Sequence, residues 1–301
     1  MKIAAIVLNW CDPEATIRCV ETLRASFPAV SAVHVVDNAS PDGSYEVLKN
    51  RLPDCDVFKN EVNSGYTGGN NVGLVRAFDA GCDAALILNN DVIVRFSSHF
   101  SGWVSRIVSG DALDLIGIPV YDELQQRFTF PSDPGRFVKE LKRSARVPLD
   151  HPFCLICGCA LLVTRRLYDK IGGLDERLFM YCEELDYSVR AALAGGAVIS
   201  GPVEIGHVVR NEEPGDRRPY VYFYQARNLA FLARKFGMKA GFFGIVLAWL
   251  ASIQFAIRSK SFINVMMSLR GAAYGALSWM GRVDSVHQYK SKAQQAVIPW
   301  K

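Results

Sequence analysis

Leu86-Ile87-Leu88-Asn89-Asn90-Asp91-Val92 is the stretch whose reading decides the fold. Ala85 to Leu88 are apolar and suit a strand buried on both faces, and they give way at once to two amides and a carboxylate. A polar cluster at the carboxyl end of such a strand is where an open α/β sheet presents ligands. Asn89, Asn90 and Asp91 offer oxygen donors to a hard divalent cation and hydrogen-bond partners to a ribose or phosphate, so Asp91 is a candidate metal ligand. The same three residues also suit a turn that caps a helix. The rest of the chain has to separate these alternatives.

Upstream, strands and helices alternate. Ile3 to Leu8 is an apolar strand ending at Asn9, and Pro13 to Ala25 suits a helix with Asp12 as its cap and Pro in the first turn. Ala32 to Val36 is the next strand and runs into Asp37, Asn38, Ala39 and Ser40. A helix over Tyr45 to Arg51, a short strand near Val57, a glycine-rich loop and a helix from Asn71 to Ala80 lead to the strand Ala84 to Leu88. This rhythm predicts a parallel sheet with helices on both faces, and three strand ends lying side by side. Asn9, Asp37 and Asn89 to Asp91 would then line one nucleotide-sized site. The loop Asn63-Ser64-Gly65-Tyr66-Thr67-Gly68-Gly69-Asn70-Asn71-Val72-Gly73 lets a backbone approach a ligand closely. It is neither the dinucleotide fingerprint, which is missing after the first strand, nor a P-loop, which needs Gly-Lys-Ser/Thr.

Downstream of a less regular segment, Asp122 to His151, come a strand through Gly158 to Val163, then Gly172-Gly173-Leu174-Asp175-Glu176, then Glu183-Glu184-Leu185-Asp186. Three carboxylates within four residues repel one another, which raises the proton affinity of at least one and suits it to take a proton from a hydroxyl. A solvated helix start, with Arg190 as ion-pair partner, is the alternative. His151, Cys154, Cys157 and Cys159 lack a second pair at zinc-site spacing and read as small buried thiols. With no cleavable signal ahead of them, the eight cysteines are expected to be reduced.

The net charge of +4 hides an asymmetry. From Arg217 to Lys301 there are 13 Lys and Arg against one acid, Asp284, whereas the first 216 residues hold 21 basic and 29 acidic side chains. The basic tail carries an uncharged apolar run, Ala240 to Ile257, with Lys235 and Lys239 before it and Arg258 and Lys260 after, then a second run, Phe262 to Met280, broken by Arg270. Basic residues on both sides argue against a simple crossing. Helices lying in or dipping into an anionic cytoplasmic leaflet fit better. A buried core helix or dimer interface is the alternative, and no nucleic-acid-binding motif is present.

Together these pieces resemble the family 2 inverting glycosyltransferases of the GT-A fold, especially bacterial rhamnosyltransferase-like members that build O antigen and other cell-surface polysaccharides. The resemblance covers about the first 235 residues. It rests on an ordered set: Asn9, Val36-Asp37-Asn38-Ala39-Ser40, the Asn63 loop, Leu88 to Asp91, Gly172 to Glu176, and Glu183 to Asp186. It implies an α/β GT-A nucleotide-diphospho-sugar transferase fold, a Rossmann-like, mostly parallel sheet flanked by helices, over residues 1–235. A basic, apolar helical tail over 236–301 would associate with the membrane. It further implies a nucleoside-diphosphate sugar donor, a divalent metal (Mg or Mn), and a glycan or polyprenyl-diphosphate-linked acceptor at the cytoplasmic face of the plasma membrane. By motif, Asp37 contacts the base beside Asn9 and Asn38. Asn63, Gly65, Gly69 and Asn70 line the donor pocket, and Asn89, Asn90 and Asp91 match the Asp-x-Asp position with Asp91 on the metal. Glu184 is the base, Glu183 the first acid of its pair, and Asp186 the acid two positions later.

Two departures stand out. Glu184 replaces the usual Asp, which keeps Asp186 as an alternative base, and Asn89 replaces the first Asp of Asp-x-Asp. His207 matches the family's later His in placement as a metal ligand. Tyr220 to Leu232, with Tyr222, Tyr224, Arg227 and Asn228, resembles a Tyr-x-x-Arg-Asn region expected near the acceptor. A dTDP-rhamnose or UDP-hexose donor follows from the subfamily resemblance alone. A non-catalytic membrane-bound scaffold would accommodate the departures. A nucleotidyltransferase would need a basic Gly-rich signature after the first strand, and none is there.

Overall fold

Alternation along β1 (Ile3–Asn9) organises the main sheet, because both faces of this strand are covered. Ile3, Ala5 and Val7 join Ile17, Val20 and Leu23 of α1 (Pro13–Ser26) in one cluster, while Ile6 and Leu8 face glycines of α3 (Gly65–Asp79). Such two-sided burial is what a parallel sheet requires. The computed structural model describes residues 1–95, 100–110, 113–122, 127–130, 136–148, 150–201, 204–207, 217–237, 250, 253–254 and 256–287. Two compact units divide the chain.

The first unit comprises Met1–Asp133, Asp150–Asp175 and Tyr187–Val209. After β1 and α1 it runs through β2 (Ala32–Asp37), α2 (Ser44–Arg51), β3 (Asp56–Lys59), α3 and β4 (Ala84–Asn89). β5 (Val92–Arg95), α4 (Phe100–Ser109), β6 (Leu115–Gly117), β7 (Val120–Asp122) and β8 (Arg127–Phe130) follow. The seven-stranded sheet has the order β10-β6-β9-β4-β1-β2-β3, with β9 (Ala160–Thr164) running antiparallel to both its neighbours and β10 (Val198–Ser200) at one edge. β5, β11 (Glu204–His207), β7 and β8 form a second, four-stranded sheet. α6 (Arg165–Ile171) follows β9, with Thr164 capping it through Leu167 N at 3.3 Å. The GT-A architecture expected from the sequence is thus present, and Asp12 caps α1 as expected, accepting from Ala15 N at 3.2 Å.

One expected element differs. The glycine-rich stretch is not a loop up to Asn71: α3 begins at Gly65, so Gly65, Gly69 and Asn70 lie on a helix. A Cβ on Gly69 would stand 2.4 Å from Leu8 Cδ1 and one on Gly73 2.4 Å from Ile6 Cγ2. Glycine at this i, i+4 spacing lets the helix backbone settle directly on β1. Asn71 then fastens α3 to the Gly172–Glu176 segment, donating to Leu174 O at 2.9 Å and accepting from Leu174 N at 2.8 Å.

The second unit comprises Pro134–Leu149, Glu176–Asp186 and Arg210–Lys301. It holds α5 (Arg136–Ser144), a short 3-10 turn at Glu176–Leu178, the first turn of α7 (Glu183–Leu193), α8 (Pro219–Lys235), α9 (Phe262–Ala276) and α10 (Asp284–His287). α8 and α9 pack backbone to backbone, since a Cβ on Gly271 would lie 2.1 Å from Phe223 O and one on Gly275 2.0 Å from Arg227 O. Most of the run Ala240 to Ile257 lies outside the described residues. Among the described residues, no helix is long and apolar enough to cross a membrane. Gly275→Ala should lower stability by about 1–3 kcal/mol despite alanine's higher helix propensity, because the contact it meets is backbone. The midpoint of urea unfolding would check this, and an unchanged or higher midpoint would contradict the close α8–α9 contact.

Candidate active site

In the first unit the three polar strand ends lie abreast: Asn9 pairs with Asp37 across β1 and β2, and Leu8 with Asn89 across β1 and β4. Burying such groups requires that they satisfy one another. Asn9 Nδ2 donates to Asp37 Oδ1 at 2.8 Å and to Ser40 Oγ at 3.3 Å, its Oδ1 accepts from Thr16 Oγ1 at 2.8 Å, and Ser40 N donates to Asp37 Oδ2 at 3.0 Å. Asn9 and Asp37 are fully buried, and they organise the turn after β2 from within. Asn38 ties that turn to the start of α3. Its Nδ2 donates to Asn63 Oδ1 and Gly65 O, and its Oδ1 accepts from Asn60 Nδ2 and Ser64 N, all at 3.0–3.1 Å. Asn63 Oδ1 also accepts from Gly65 N at 2.9 Å, across a turn where Gly65 takes φ 75°, a value glycine adopts without strain.

The Asn-Asn-Asp trio divides its work. Asn90 Nδ2 anchors to Asp12 O at 3.3 Å and Thr16 Oγ1 at 3.2 Å. Asn89 N donates to Cys159 O at 2.9 Å, yet its side-chain Oδ1 is buried and has no hydrogen-bond partner among the described residues, as is Asn70 Oδ1. Asp91, half-buried, follows at the carboxyl end of β4. Its charge is felt nearby: burial and then Asp91 push the Cys19 thiol up, and the Cys159 thiol is raised by its hydrogen bond with Cys157, by burial and by Asp91. A buried carbonyl oxygen lacking a donor beside a carboxylate is a donor set that fits a hard divalent cation. Among the described residues no three His, Cys, Asp or Glu side chains converge to hold a metal, so a cation at Asp91 would take its remaining ligands from substrate phosphates, as Mg commonly does. The backbone of His207 arrives here too: β11 pairs it with Val92, the residue after Asp91, although its side chain lies outside the described residues. His151 instead engages Gly196 O at 2.8 Å through Nε2, and the cysteines are free thiols.

In the second unit, Glu183 and Glu184 open α7, where the helix's positive end favours carboxylates. Glu183 is buried and Glu184 half-buried. Desolvation pushes the Glu184 carboxyl up to about 7, against a smaller opposing effect of backbone hydrogen bonding and of the hydrogen bond with Glu183. Asp186 is fully buried and paired with Lys235 Nζ at 2.5 Å, so one oxygen is already engaged by an ammonium group. Asp186 thus fastens α7 to the last turn of α8, whereas Glu184 is a carboxyl that desolvation raises.

Arg227 and Asn228 have a part that the sequence did not disclose. Expected near the acceptor, they are fully buried and hold the segment that leads into α7. Asn228 Nδ2 donates to the carbonyls of Leu178, Met180 and Tyr181 at 3.1, 2.8 and 2.7 Å, and Arg227 Nη2 donates to Leu178 O at 2.7 Å, with Nη1 on Gly281 O. Arg227 Nε donates to Asn228 Oδ1 at 2.9 Å, and burial lowers the guanidinium to about 10. The segment needs holding: Phe179, Tyr181 and Cys182 all take left-handed φ of 63–67° without being glycine. Such residues cost about 1–3 kcal/mol each and persist where the surroundings over-determine them. Only the Arg-Asn dipeptide hinted at this, since the clamp depends on carbonyls some 50 residues away.

A mostly parallel sheet whose central strands end in a carboxylate and amides, joined to a short mixed second sheet, is the architecture of the GT-A glycosyltransferases. Residues 6–172 match the family model described as Glycosyl transferase family 2, and the chain belongs to that family. It is 25% identical over 238 residues to a low-salt glycan biosynthesis hexosyltransferase of Haloferax volcanii, covering 74% of this chain and 71% of the relative. It is also 25% identical over 267 residues to the N-acetylglucosaminyl-diphospho-decaprenol L-rhamnosyltransferase of Mycobacterium tuberculosis, covering 79% and 85%. In fold it resembles a mannosyltransferase from Pyrobaculum calidifontis solved with GDP-Man and Mn2+, with a TM-score of 0.57 at 14% identity over 98% of this chain and 79% of that one. GalNAc-T7, solved with UDP, GalNAc and Mn2+, gives 0.51 at 15% identity over 87% and 58%.

Two outcomes follow from the geometry. Asn228→Ala strips the shared donor from three carbonyls, one buried and two part-buried, and should cost about 1–3 kcal/mol in urea unfolding. Glu184 ionises near 4.5 in the unfolded chain and near 7 in the folded one, so the folded state holds the extra proton between those values. The contribution of this carboxyl to stability therefore falls as pH rises through that window. Glu184→Gln should be more stable than wild type by about 1–3 kcal/mol at pH 8, with the gap closing below pH 4.5. A pH-independent difference would exclude the raised carboxyl.

Proposed function

We propose that this chain is an inverting, metal-dependent glycosyltransferase that moves a sugar from dTDP-rhamnose or a UDP-hexose to a polyprenyl-diphosphate-linked glycan. The reaction would serve cell-surface polysaccharide or O-antigen synthesis at the cytoplasmic face of the plasma membrane. The observation that carries it is the row Asn9, Asp37 and Asn89 at the carboxyl ends of β1, β2 and β4, with Asp91 just beyond. The rhamnosyltransferase name of the Mycobacterium relative supports a polyprenyl-diphosphate-linked acceptor, and the Mn2+ in the two structural neighbours supports a divalent cation.

In this proposal Asp91, with Asn89 and His207, holds Mg or Mn, whose charge when bound offsets that of the leaving nucleoside diphosphate. Asp37 with Asn9 and Asn38 sets the base-binding end, and Asn63, Gly65, Gly69 and Asn70 form the donor wall. Glu184 takes the proton of the acceptor hydroxyl, which suits a carboxyl raised to about 7. Glu183 and Asp186 position it. A single displacement inverts the anomeric carbon. Residues 1–235 would form the catalytic region and 236–301 a peripheral membrane-associating one.

Purified protein in detergent, screened over nucleotide sugars with Mg, Mn or EDTA, tests the proposal. One donor should be consumed in a metal-dependent manner, and Asp91→Ala should abolish this. Glu184→Gln should lower kcat by about 10²–10⁴ and remove an acid limb in kcat/KM that rises toward pH 7. Turnover that survives both substitutions would sink the assignment. The Asn89 and Glu184 departures favour one rival, a non-catalytic scaffold, which would bind nucleotide with metal yet turn over no donor even with membrane-extract acceptors.

A further inference from the structure

The exposed side of α9 is the wrong kind of surface for a helix facing water. Its buried positions are largely small or polar, namely Asn264, Ser268, Gly271, Ala272 and Gly275 beside Met267. Its exposed positions are apolar: Phe262 is 78% exposed, Met266 44% and Leu269 36%, and Leu277 and Trp279 just beyond its end are 56% and 57% exposed. Phe262, Met266, Leu269, Ala273 and Leu277 fall at spacings of four, three, four and four, one stripe about 22 Å long. No charged residue interrupts it, since Arg270 turns aside to Tyr274 Oη at 3.2 Å and Ser285 Oγ at 2.9 Å. An apolar stripe of this length on a soluble face marks an interaction site.

Charge identifies the occupant. Arg258 and Lys260 are exposed just before the stripe begins, with apolar Ile257, 59% exposed, beside them. From Arg217 onward the sole acid is Asp284, which Arg282 Nε engages at 2.6 Å. A protein partner would have to combine an apolar groove with a dense acidic rim, whereas an anionic bilayer offers both at its headgroup boundary. At 15 residues α9 is too short to span, which needs about 20. We infer that the outer face of α9 seats the chain on an anionic membrane surface, with Phe262, Met266, Leu269 and Leu277 in the acyl boundary and Trp279, Arg258 and Lys260 at the headgroups. This deepens the proposed transfer to a lipid-linked acceptor and rests on it only for its biological purpose.

Co-sedimentation of the full chain with phosphatidylcholine vesicles, with and without phosphatidylglycerol, tests the seat directly. Wild type should bind the phosphatidylglycerol vesicles, more weakly as salt is raised. Arg258→Gln with Lys260→Gln should weaken that binding about thirtyfold, and Phe262→Ser with Trp279→Ser at least about tenfold. All four positions are exposed, and circular dichroism would verify folding. Absent vesicle binding, or binding unchanged in both double variants, would overturn the inference. So would a wild-type dimer that Phe262→Ser with Trp279→Ser makes monomeric in sedimentation, because the stripe would then seat a second copy. Transfer to a detergent-dispersed acceptor, measured in parallel, keeps the two proposals apart: vesicle binding without transfer would fail only the enzymatic proposal, and transfer without vesicle binding only the membrane seat.

Discussion

The 2.8 Å bond from Asn9 Nδ2 to Asp37 Oδ1 is the contact on which the first unit's functional edge depends. A parallel sheet buried on both faces must end its strands somewhere, and each polar group at that end costs free energy unless it is paired. Asn9 resolves this by addressing α1, β2 and the turn after β2 at once. That cluster is closed on itself, whereas Asn89 Oδ1 at the end of β4 and Asn70 Oδ1 on α3 are buried with no hydrogen-bond partner among the described residues.

The second unit solves a different problem. The proposed role of Glu184 places a half-buried carboxyl directly after a segment whose backbone is unfavourable, with three left-handed residues in four. Arg227 and Asn228 stabilise that segment through carbonyls rather than through an opposing charge. A carboxylate placed there instead of carbonyls would add a buried negative charge close to Glu183 and Glu184. Neutral acceptors keep the guanidinium satisfied while leaving the proton affinity of Glu184 to desolvation.

Much of this was legible in the sequence because the signals were local. The apolar runs that end in Asn9, Asp37 and Asn89 carried strand identity and site together, and Asp12 with Pro13 marked a helix start. What escaped depended on partners distant in the chain. The glycines at 65 and 69 read as a loop, since nothing local says that Leu8 needs a helix with no side chain against it. β9 is apolar at four of five positions, a pattern that fits either direction, so its antiparallel course was not encoded in hydrophobicity. The short strands of the second sheet fall where alternation has too few residues to register. Arg227 and Asn228 were expected near the acceptor from a family-motif resemblance, and only their burial shows that their donors point inward.

One helix carries both holds on the segment that leads into and opens α7: Arg227 and Asn228 bind the carbonyls of Leu178 and Tyr181, and Lys235, two turns on, pairs with Asp186. α9 touches that helix through bare backbone at Gly271 and Gly275, where no side chain can yield. Contacts of this kind transmit displacement without cushioning. α9, α8 and the residues before Glu184 are therefore joined in one run of direct contacts, with bare backbone between the two helices and carbonyl hydrogen bonds beyond them.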